Sequence, residues 1–434
     1  MRRIVCHCMT TASHRGPPNG GEERRTDRSA GPVAHPVHLT LDETQRALRA
    51  EIRGWLAAEL PDEFRHASAN ADYLPRDGHE RAVAFCRRLH ERGWFVPHWP
   101  ARFEGGGRPI IDQVIIREEL AYAGAPLVNS NGVNMLAPVL FRYGTPEQQA
   151  SHLAPIARSE VMWAQGYSET EAGSDLASLR MTAVRDGNEY VLNGHKTWTS
   201  NGRLADWIFV LARTDPNAKP QAGISFLLVD MSTSGLTMRP IDALTGYPTF
   251  AEEFFDDVRI PADHLVGEEN DGWRVAKALL DAERTNITRA AQAQRFFDEL
   301  LTWCRSLEGT RDDPRRDPVR RAQLASLAER IAVGRALSYR IAHLQAANAL
   351  TPAVAATSKL FWSQFAFELK DVGSCVLGPA GLLMPADPAA AAHGHYSEGL
   401  LLALLHRIGG GTNEVQRNLI GEGGLGLPRE PRPR

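Results

Sequence analysis

The feature that most constrains this chain is a β-rich middle stretch enclosed by two helical stretches. From Leu39 to about Arg158, apolar residues such as Leu48 and Ile52 recur at the spacing of one helix face. Between about Val161 and Gly267 the pattern changes to short β-rich runs, and a helical pattern returns at Trp273. We therefore expect an α+β chain with three domains: helical over residues 39–160, antiparallel β over 161–268 and helical over 269–434.

The β-rich stretch has the spacing of an antiparallel barrel or sandwich. Two dipeptides, Asp186-Gly187 and Asn193-Gly194, are typical of hairpin turns. Strands are predicted at the runs Glu189–Leu192, Trp207–Ala212, Ile224–Val229 and Glu253–Ile260.

Residues 1–38 have no periodic apolar pattern and are rich in Arg, His, Gly and Pro, so we expect a disordered extension. Its Cys6-His7-Cys8 cluster lacks a second ligand pair at a suitable spacing, and no metal site is predicted. No apolar core of a signal peptide follows the basic start, and the expected location is the cytoplasm.

Charge and apolar runs exclude two classes of function. Of the 49 basic residues only five are lysines, but the arginines are scattered and 52 acidic residues balance them, giving a net charge of −3. Nucleic-acid binding needs a concentrated positive face, so it is not expected. The best candidate for a membrane-spanning run, Leu400 to Leu405, is far shorter than such a helix, so no membrane span is predicted either.

One carboxylate stands where apolar residues are expected. After Asp271-Gly272, the apolar stripe of a predicted helix contains Val275, Leu279 and Ile287, and Glu283 falls on the same stripe. Burial of a carboxyl raises its pKa toward the range of a general base, so Glu283 is a catalytic candidate. A structural ion pair with an arginine is the alternative.

Three further segments could contact a ligand, although each has an ordinary structural explanation. Ser168–Asp175 joins the first two domains and could form hydrogen bonds to a flat polar ligand, or could be a simple loop. Trp198, in Thr197–Ser200, could cover an aromatic cofactor or pack in the core. Gly409–Arg417 brings three glycines to a helix start capped by Thr412 or Asn413, where free N–H groups could stabilise an oxyanion.

Taken together and in this order, these segments resemble the acyl-CoA dehydrogenase family of flavoproteins. The resemblance covers roughly residues 40–430 and rests on the segments WFVPHWPARFEGG (94–106), YSETEAGSD (167–175), NGHKTWTSNG (193–202), DAER (281–284) and GGTNEVQRNLIG (410–421). It implies a C-terminal four-helix bundle after the β-domain, FAD as cofactor, and acyl-CoA as substrate. It also implies electron-transfer flavoprotein as the electron acceptor, and an oligomer, usually a tetramer.

The resemblance also implies roles for single residues. Gln165, Tyr167, Ser168, Trp198 and Ser200 would contact the flavin, and Thr412 and Glu414 would contact FAD in the assembled enzyme. Ser174, Asp281, Arg284 and Gly411 would bind the substrate.

Many members of the family carry the catalytic glutamate directly before the Gly-Thr of the C-terminal loop, where this chain has Gly410. Glu283 occupies the position at which isovaleryl- and long-chain-type members carry their base. We therefore predict that Glu283 abstracts the α-proton and that the Gly410 N–H forms half of an oxyanion site.

A second departure concerns assembly. The Arg-x-x-Phe-Gly stretch of many members is absent from Arg284–Phe297, and their Gly-Gly-x-Gly segment is reduced to Gly378–Gly381. A heterotetramer with a related subunit is therefore considered beside a homotetramer or homodimer. Three readings stay open: a catalytic dehydrogenase, a non-catalytic or co-catalytic subunit, and an acyl-CoA oxidase.

Overall fold

The computed structural model describes residues 40–65, 76–282, 287–310 and 313–429. All of them fall within one compact unit, Val37–Arg434. The predicted disordered extension and its Cys6-His7-Cys8 cluster lie outside the described residues, as do Glu283 and Arg284.

The N-terminal domain is a cluster of helices whose starts are fixed by side-chain caps. Asp42 and Gln45 form a capping box at the first helix, and Thr145 and Gln148 form another at the sixth. A π-helical segment, Asn131–Leu136, runs directly into the fifth helix. The helices are α1 (Glu43–Glu59), α2 (Asp62–Arg65), α3 (Arg76–Glu91), α4 (Ile110–Ala123), α5 (Ala137–Tyr143) and α6 (Pro146–Ala157).

The middle domain is one eight-stranded sheet with the order β6-β7-β3-β2-β4-β5-β8, and β1 pairs with β4. The predicted β-domain is confirmed, but the described strands form an open sheet rather than a closed barrel. Most pairs are antiparallel, whereas β1 and β2 both pair with β4 in parallel. The strands are β1 (Trp163–Gly166), β2 (Thr182–Asp186), β3 (Glu189–Ser200), β4 (Trp207–Arg213), β5 (Ile224–Asp230), β6 (Leu236–Ile241), β7 (Phe250–Pro261) and β8 (Leu265–Val266).

Only one of the two predicted hairpin turns is a turn. Gly187 has φ of +62° and lies in the two-residue connection between β2 and β3. Asn193-Gly194 lies inside β3 instead, where the pairing with β7 shifts register between Leu192 and Gly194. A Cβ at Gly194 would lie 2.8 Å from the Met181 Cα, so this glycine permits a close strand approach at a bulge.

The C-terminal domain contains the expected four-helix bundle. Buried side chains from α8, α9, α10 and α11 share one core, for example Leu300, Leu327, Phe365 and Tyr396. Helix α7 precedes this bundle, and its buried Val275 belongs to the core that the N-terminal helices share with the sheet. The helices are α7 (Gly272–Ala282), α8 (Ile287–Ser306), α9 (Pro318–Ala346), α10 (Pro352–Leu377), α11 (His395–Leu405) and α12 (Asn413–Asn418).

A search of the described helices for a bilayer-spanning segment finds none with the necessary length and apolar character.

Candidate active site

A cavity of about 900 Å³ lies where the three domains meet. The N-terminal helices and loops contribute His98, Arg117 and Asn134 to its wall, and the sheet contributes Ser200. The C-terminal domain contributes the start of α8, parts of α10 and α11, and the loop at Gly410. Its volume suits a cofactor and part of a substrate.

The described wall of this cavity is positively charged. Arg117, Arg289, Lys359 and Lys370 line it, and no described lining residue is an aspartate or a glutamate. His406 adds no charge near neutral pH, because Arg289, burial and Lys359 lower its pKa to about 3. The cavity therefore favours a ligand that carries negative charge or develops it during reaction.

Two of the segments singled out by sequence are joined by a buried ion pair. The Lys196 Nζ donates to the Glu169 carboxylate at 2.8 Å and to the Tyr167 carbonyl at 3.1 Å. The Thr197 N–H donates to the Ser168 carbonyl at 3.0 Å, so the Ser168 loop is fixed to β3. Burial lowers the pKa of Lys196 to about 8, against the effect of Glu169. Burial raises the pKa of Glu169, but Lys196 and two backbone N–H donors outweigh it and lower that pKa.

Trp198 lies at a bulge in β3. The pairing with β7 shifts register between Lys196 and Thr199, and Trp198 has φ of +63°. The indole is 59% exposed, and its ring makes an edge contact with Phe250. The core-packing explanation for this tryptophan is therefore wrong. Two residues further on, Ser200 lines the cavity.

The remaining predicted residues of this region differ in their surroundings. Tyr167 is buried against the edges of Phe209 and Phe226. The Gln165 Nε2 is buried and has no hydrogen-bond acceptor among the residues described. Ser174 is exposed and does not belong to the described wall of the cavity.

The glycine loop reaches the cavity through Gly410 and Gly411. Both have left-handed φ, +65° and +81°, which glycine adopts without steric cost. The Gln416 side chain donates to their carbonyls at 3.3 and 3.2 Å. Their N–H groups have no acceptor in the described part of the chain.

The start of α12 is held by its own caps. Of the two predicted N-cap candidates, Thr412 and Asn413, Thr412 is the cap and accepts from the Val415 N–H at 3.2 Å. The Asn413 Oδ1 accepts from the Ser363 hydroxyl at 2.7 Å and so ties the loop to α10. Glu414 is exposed and pairs with Arg417. Neither Thr412 nor Glu414 is part of the described cavity wall.

The proposed base cannot be placed from the described residues. Glu283 and Arg284 lie outside them, and of Asp281 only the backbone, in α7, is described. Thr288, at the start of α8, lines the cavity, so the chain that follows Glu283 in sequence reaches this wall.

Sequence reasoning missed the polar residues of the N-terminal wall. Arg117 lies in α4 between Ile116 and Glu118, both buried. The Arg117-Glu118-Glu119 run inside an otherwise apolar helix is the signal that could have identified it. His98 lies within the segment 94–106 that carried the resemblance, but the resemblance assigned no role to it. Among the residues described, no His, Cys, Asp and Glu cluster could hold a metal ion.

Family models match almost the whole described chain. They are the acyl-CoA dehydrogenase N-terminal domain at residues 42–160, the middle domain at 164–258 and the C-terminal domain at 270–425. The chain belongs to the acyl-CoA dehydrogenase family of flavin-dependent oxidoreductases.

Its relatives include named members of that family. It is 39% identical to acyl-CoA dehydrogenase IpdE1 of Mycobacterium tuberculosis over 88% of this chain and 97% of the relative. It is 35% identical to acyl-CoA dehydrogenase FadE26 of the same organism, over 91% of this chain and all of the relative.

Two solved structures have the same fold at similar identity. The ChsE4-ChsE5 complex from Mycobacterium tuberculosis superposes with a TM-score of 0.81 at 34% identity, over 91% of this chain and 100% of that chain. The Tcur3481-Tcur3483 steroid ACAD gives a TM-score of 0.82 at 32% identity, with the same coverage.

Proposed function

We propose that this protein oxidises an acyl-CoA thioester to the trans-2-enoyl-CoA in the cavity shared by its three domains. The observation that carries the proposal is the pair of N–H groups at Gly410 and Gly411, which have no acceptor among the described residues and lie in a cavity wall that also contains Arg289 and Lys359. Such donors stabilise negative charge that develops on a thioester oxygen when an α-proton is removed. Glu283 is the proposed base, Gly410 the oxyanion donor and Gly411 a substrate contact.

The residues near β1 and β3 fit an FAD. Gln165 offers a buried amide donor without an acceptor in the described part of the chain, and Trp198 offers an exposed ring beside Ser200. Tyr167 and Ser168 lie on the loop that Lys196 fixes to the same strand. When bound, the flavin would accept the β-hydrogen as a hydride. Thr412, as N-cap, and the exposed Glu414 would contact FAD in the assembled enzyme.

The substrate contacts of the proposal are Ser174, Asp281 and Arg284 together with Gly411. Ser174 is exposed, so in this proposal it meets the ligand from outside the cavity. The steroid ACAD among the structural neighbours, together with the size of the cavity, supports a bulky acyl group.

Assembly and electron transfer complete the proposal. Electrons would pass to an electron-transfer flavoprotein. The ChsE4-ChsE5 complex combines two differently named chains, which supports a heterotetramer with a related subunit over a homotetramer. It also keeps a co-catalytic subunit as the second candidate function. The cytoplasmic location expected from the sequence stays a prediction.

The test is flavin reduction by substrate in the full chain, alone and co-expressed with a related subunit. Purified protein should show a flavin absorption band that bleaches anaerobically with an acyl-CoA. Glu283→Gln should keep the band, but its rate of bleaching should fall by at least about 1000-fold, since proton abstraction is lost. Glu91→Gln, an exposed carboxylate on α3, is the matched control and should bleach normally. Normal bleaching by Glu283→Gln would remove Glu283 from the mechanism, and a flavin-free protein in both preparations would contradict the proposal.

A further inference from the structure

The N-terminal wall of the cavity contains a charged group that the proposed chemistry does not use. Arg117 projects from α4 into the cavity, where its Nη2 contacts the His98 Nδ1 at 3.1 Å and donates to the Asn134 Oδ1 at 3.1 Å. Asn134 in turn donates to the Ser130 hydroxyl at 3.1 Å. Both contacts are made by Nη2, so one end of the guanidinium is held between His98 and Asn134.

Arg117 has no carboxylate partner within the described part of the chain. Its two neighbours in the cluster are neutral near pH 7: Asn134 is an amide, and burial together with Arg117 lowers the pKa of His98 to about 3. Burial lowers the pKa of Arg117 only to about 10, so the guanidinium stays charged. A buried cation without a counter-ion is costly, and a ligand that supplies the missing acceptor compensates for it.

Arg117 lines the cavity with donors that no described residue accepts. A guanidinium has five N–H donors, and within the described part of the chain only those of Nη2 have partners. The N-terminal side of the lining combines polar side chains such as Gln113 and Asn131 with apolar ones such as Phe95 and Val128. An oriented cation in such a mixed lining can recognise an acceptor group on a hydrocarbon skeleton.

The position of Arg117 indicates which part of the ligand it meets. The residues proposed for the flavin lie on β1 and β3 and the loop between them, and those proposed for the thioester oxygen lie at Gly410 in the C-terminal domain. The N-terminal wall is left for the acyl group. We propose that Arg117, oriented by His98 and Asn134, binds an acceptor oxygen, a carboxylate or a ketone, carried by the acyl part of the substrate away from the thioester. This inference rests on the proposed function and makes Arg117 a specificity-determining residue.

The experiment compares acyl-CoAs that differ only in that oxygen. Octanoyl-CoA is compared with suberyl-CoA, which adds a terminal carboxylate, and with an octanoyl-CoA that carries a ketone near its end. For each, kcat/KM of the flavin-loaded enzyme is measured. Dissociation constants are measured by calorimetry with thioether analogues that cannot be oxidised. The variants are Arg117→Met, Arg117→Lys and, as control, Arg340→Met, whose arginine is exposed on α9.

The wild type should prefer at least one oxygenated acyl-CoA. Arg117→Met should lose about 10- to 100-fold in kcat/KM and in affinity for it, the effect of one charged hydrogen bond, while octanoyl-CoA changes less than about threefold. Arg117→Lys keeps the charge without the planar fork, so its kcat/KM and affinity should lie between those of the wild type and those of Arg117→Met. It also provides the comparison if Arg117→Met does not fold. Arg340→Met should have the same kcat/KM and affinities as the wild type.

Two results would overturn the inference in distinguishable ways. In the first, octanoyl-CoA bleaches the flavin, but Arg117→Met and Arg117→Lys change kcat/KM equally for all three substrates. Arg117 then does not recognise the acyl group, and the proposed function still stands. If no acyl-CoA reduces the flavin in the wild type, the proposed function fails and the inference fails with it.

Discussion

At the scale of single residues, Trp198 has a strained backbone conformation. A left-handed φ of +63° costs a residue with a side chain about 1–2 kcal/mol, and bulky residues rarely adopt it. The exposed indole has few contacts within the described chain that would repay this cost. Such strain is found where a side chain is aimed at a ligand.

Trp198→Gly separates the two roles of this residue. Glycine adopts the same φ freely but is more flexible in the unfolded chain, so the free energy of unfolding of the flavin-free protein should change by less than about 1 kcal/mol. Flavin affinity, measured by fluorescence quenching, should fall at least about tenfold because the ring contact is lost. Val184→Gly, at an exposed position of β2, controls for a glycine in a strand. Unchanged flavin affinity in Trp198→Gly would exclude Trp198 from the cofactor site.

At the scale of secondary-structure elements, periodicity predicted most of what was found. The predicted runs at 189–192, 207–212, 224–229 and 253–260 all lie inside β3, β4, β5 and β7. In β3 and β7 alternating residues are buried, whereas β4 and β5 are continuous apolar runs that are buried on both faces. Asn193-Gly194 misled because the same dipeptide that favours a turn also permits a bulge, and only the contact with Met181 distinguishes them. Sequence reasoning did not predict the cluster of Arg117, His98 and Asn134, because these three residues come from separate elements.

Helix α10 carries a second buried basic side chain, Lys370, which lines the same cavity. The Lys370 Nζ is buried without a hydrogen-bond acceptor among the described residues and lies 3.1 Å from the ring centre of Phe296. Burial is the largest cause that lowers its pKa, to about 7, from an ordinary 10.5. In the unfolded chain Lys370 stays protonated up to about pH 10.5, so between pH 7 and 10.5 the unfolded state binds more protons.

The free energy of unfolding should therefore rise with pH across that window, through Lys370, by up to about 1.4 kcal/mol per pH unit. Lys370→Met fills a similar volume without a charge and should remove this part of the slope and be more stable than the wild type at pH 7. Urea unfolding of both proteins at pH 7, 8 and 9 measures the difference. Lys277→Met, a lysine on α7, is the control. Parallel pH profiles for the wild type and Lys370→Met would show that the buried amine does not titrate there.

At the scale of the whole molecule, a buried polar network joins the first and last domains. Glu118 in α4 accepts from Arg49 in α1 at 3.0 Å and from the Tyr339 hydroxyl in α9 at 2.7 Å, and Arg335 in α9 lies 3.4 Å away. The Glu118 side chain is 7% exposed. Because α4 also carries Arg117 into the cavity, the contacts that hold α4 against the C-terminal domain also set the position of the N-terminal wall.

Glu118→Ala should consequently weaken both the fold and the site. Removing the carboxylate leaves Arg49 and Tyr339 buried with one acceptor fewer, and breaking a buried pair in this way costs about 3–5 kcal/mol. Thermal and urea unfolding measure that loss, and binding of the thioether analogue measures the shift of the wall at a temperature where the variant is folded. Glu63→Ala, which removes the exposed pair with Arg81, should cost less than about 1 kcal/mol and leave binding unchanged. If Glu118→Ala were no more costly than Glu63→Ala, the domains would be held together by apolar packing alone, and the position of Arg117 would not depend on this network.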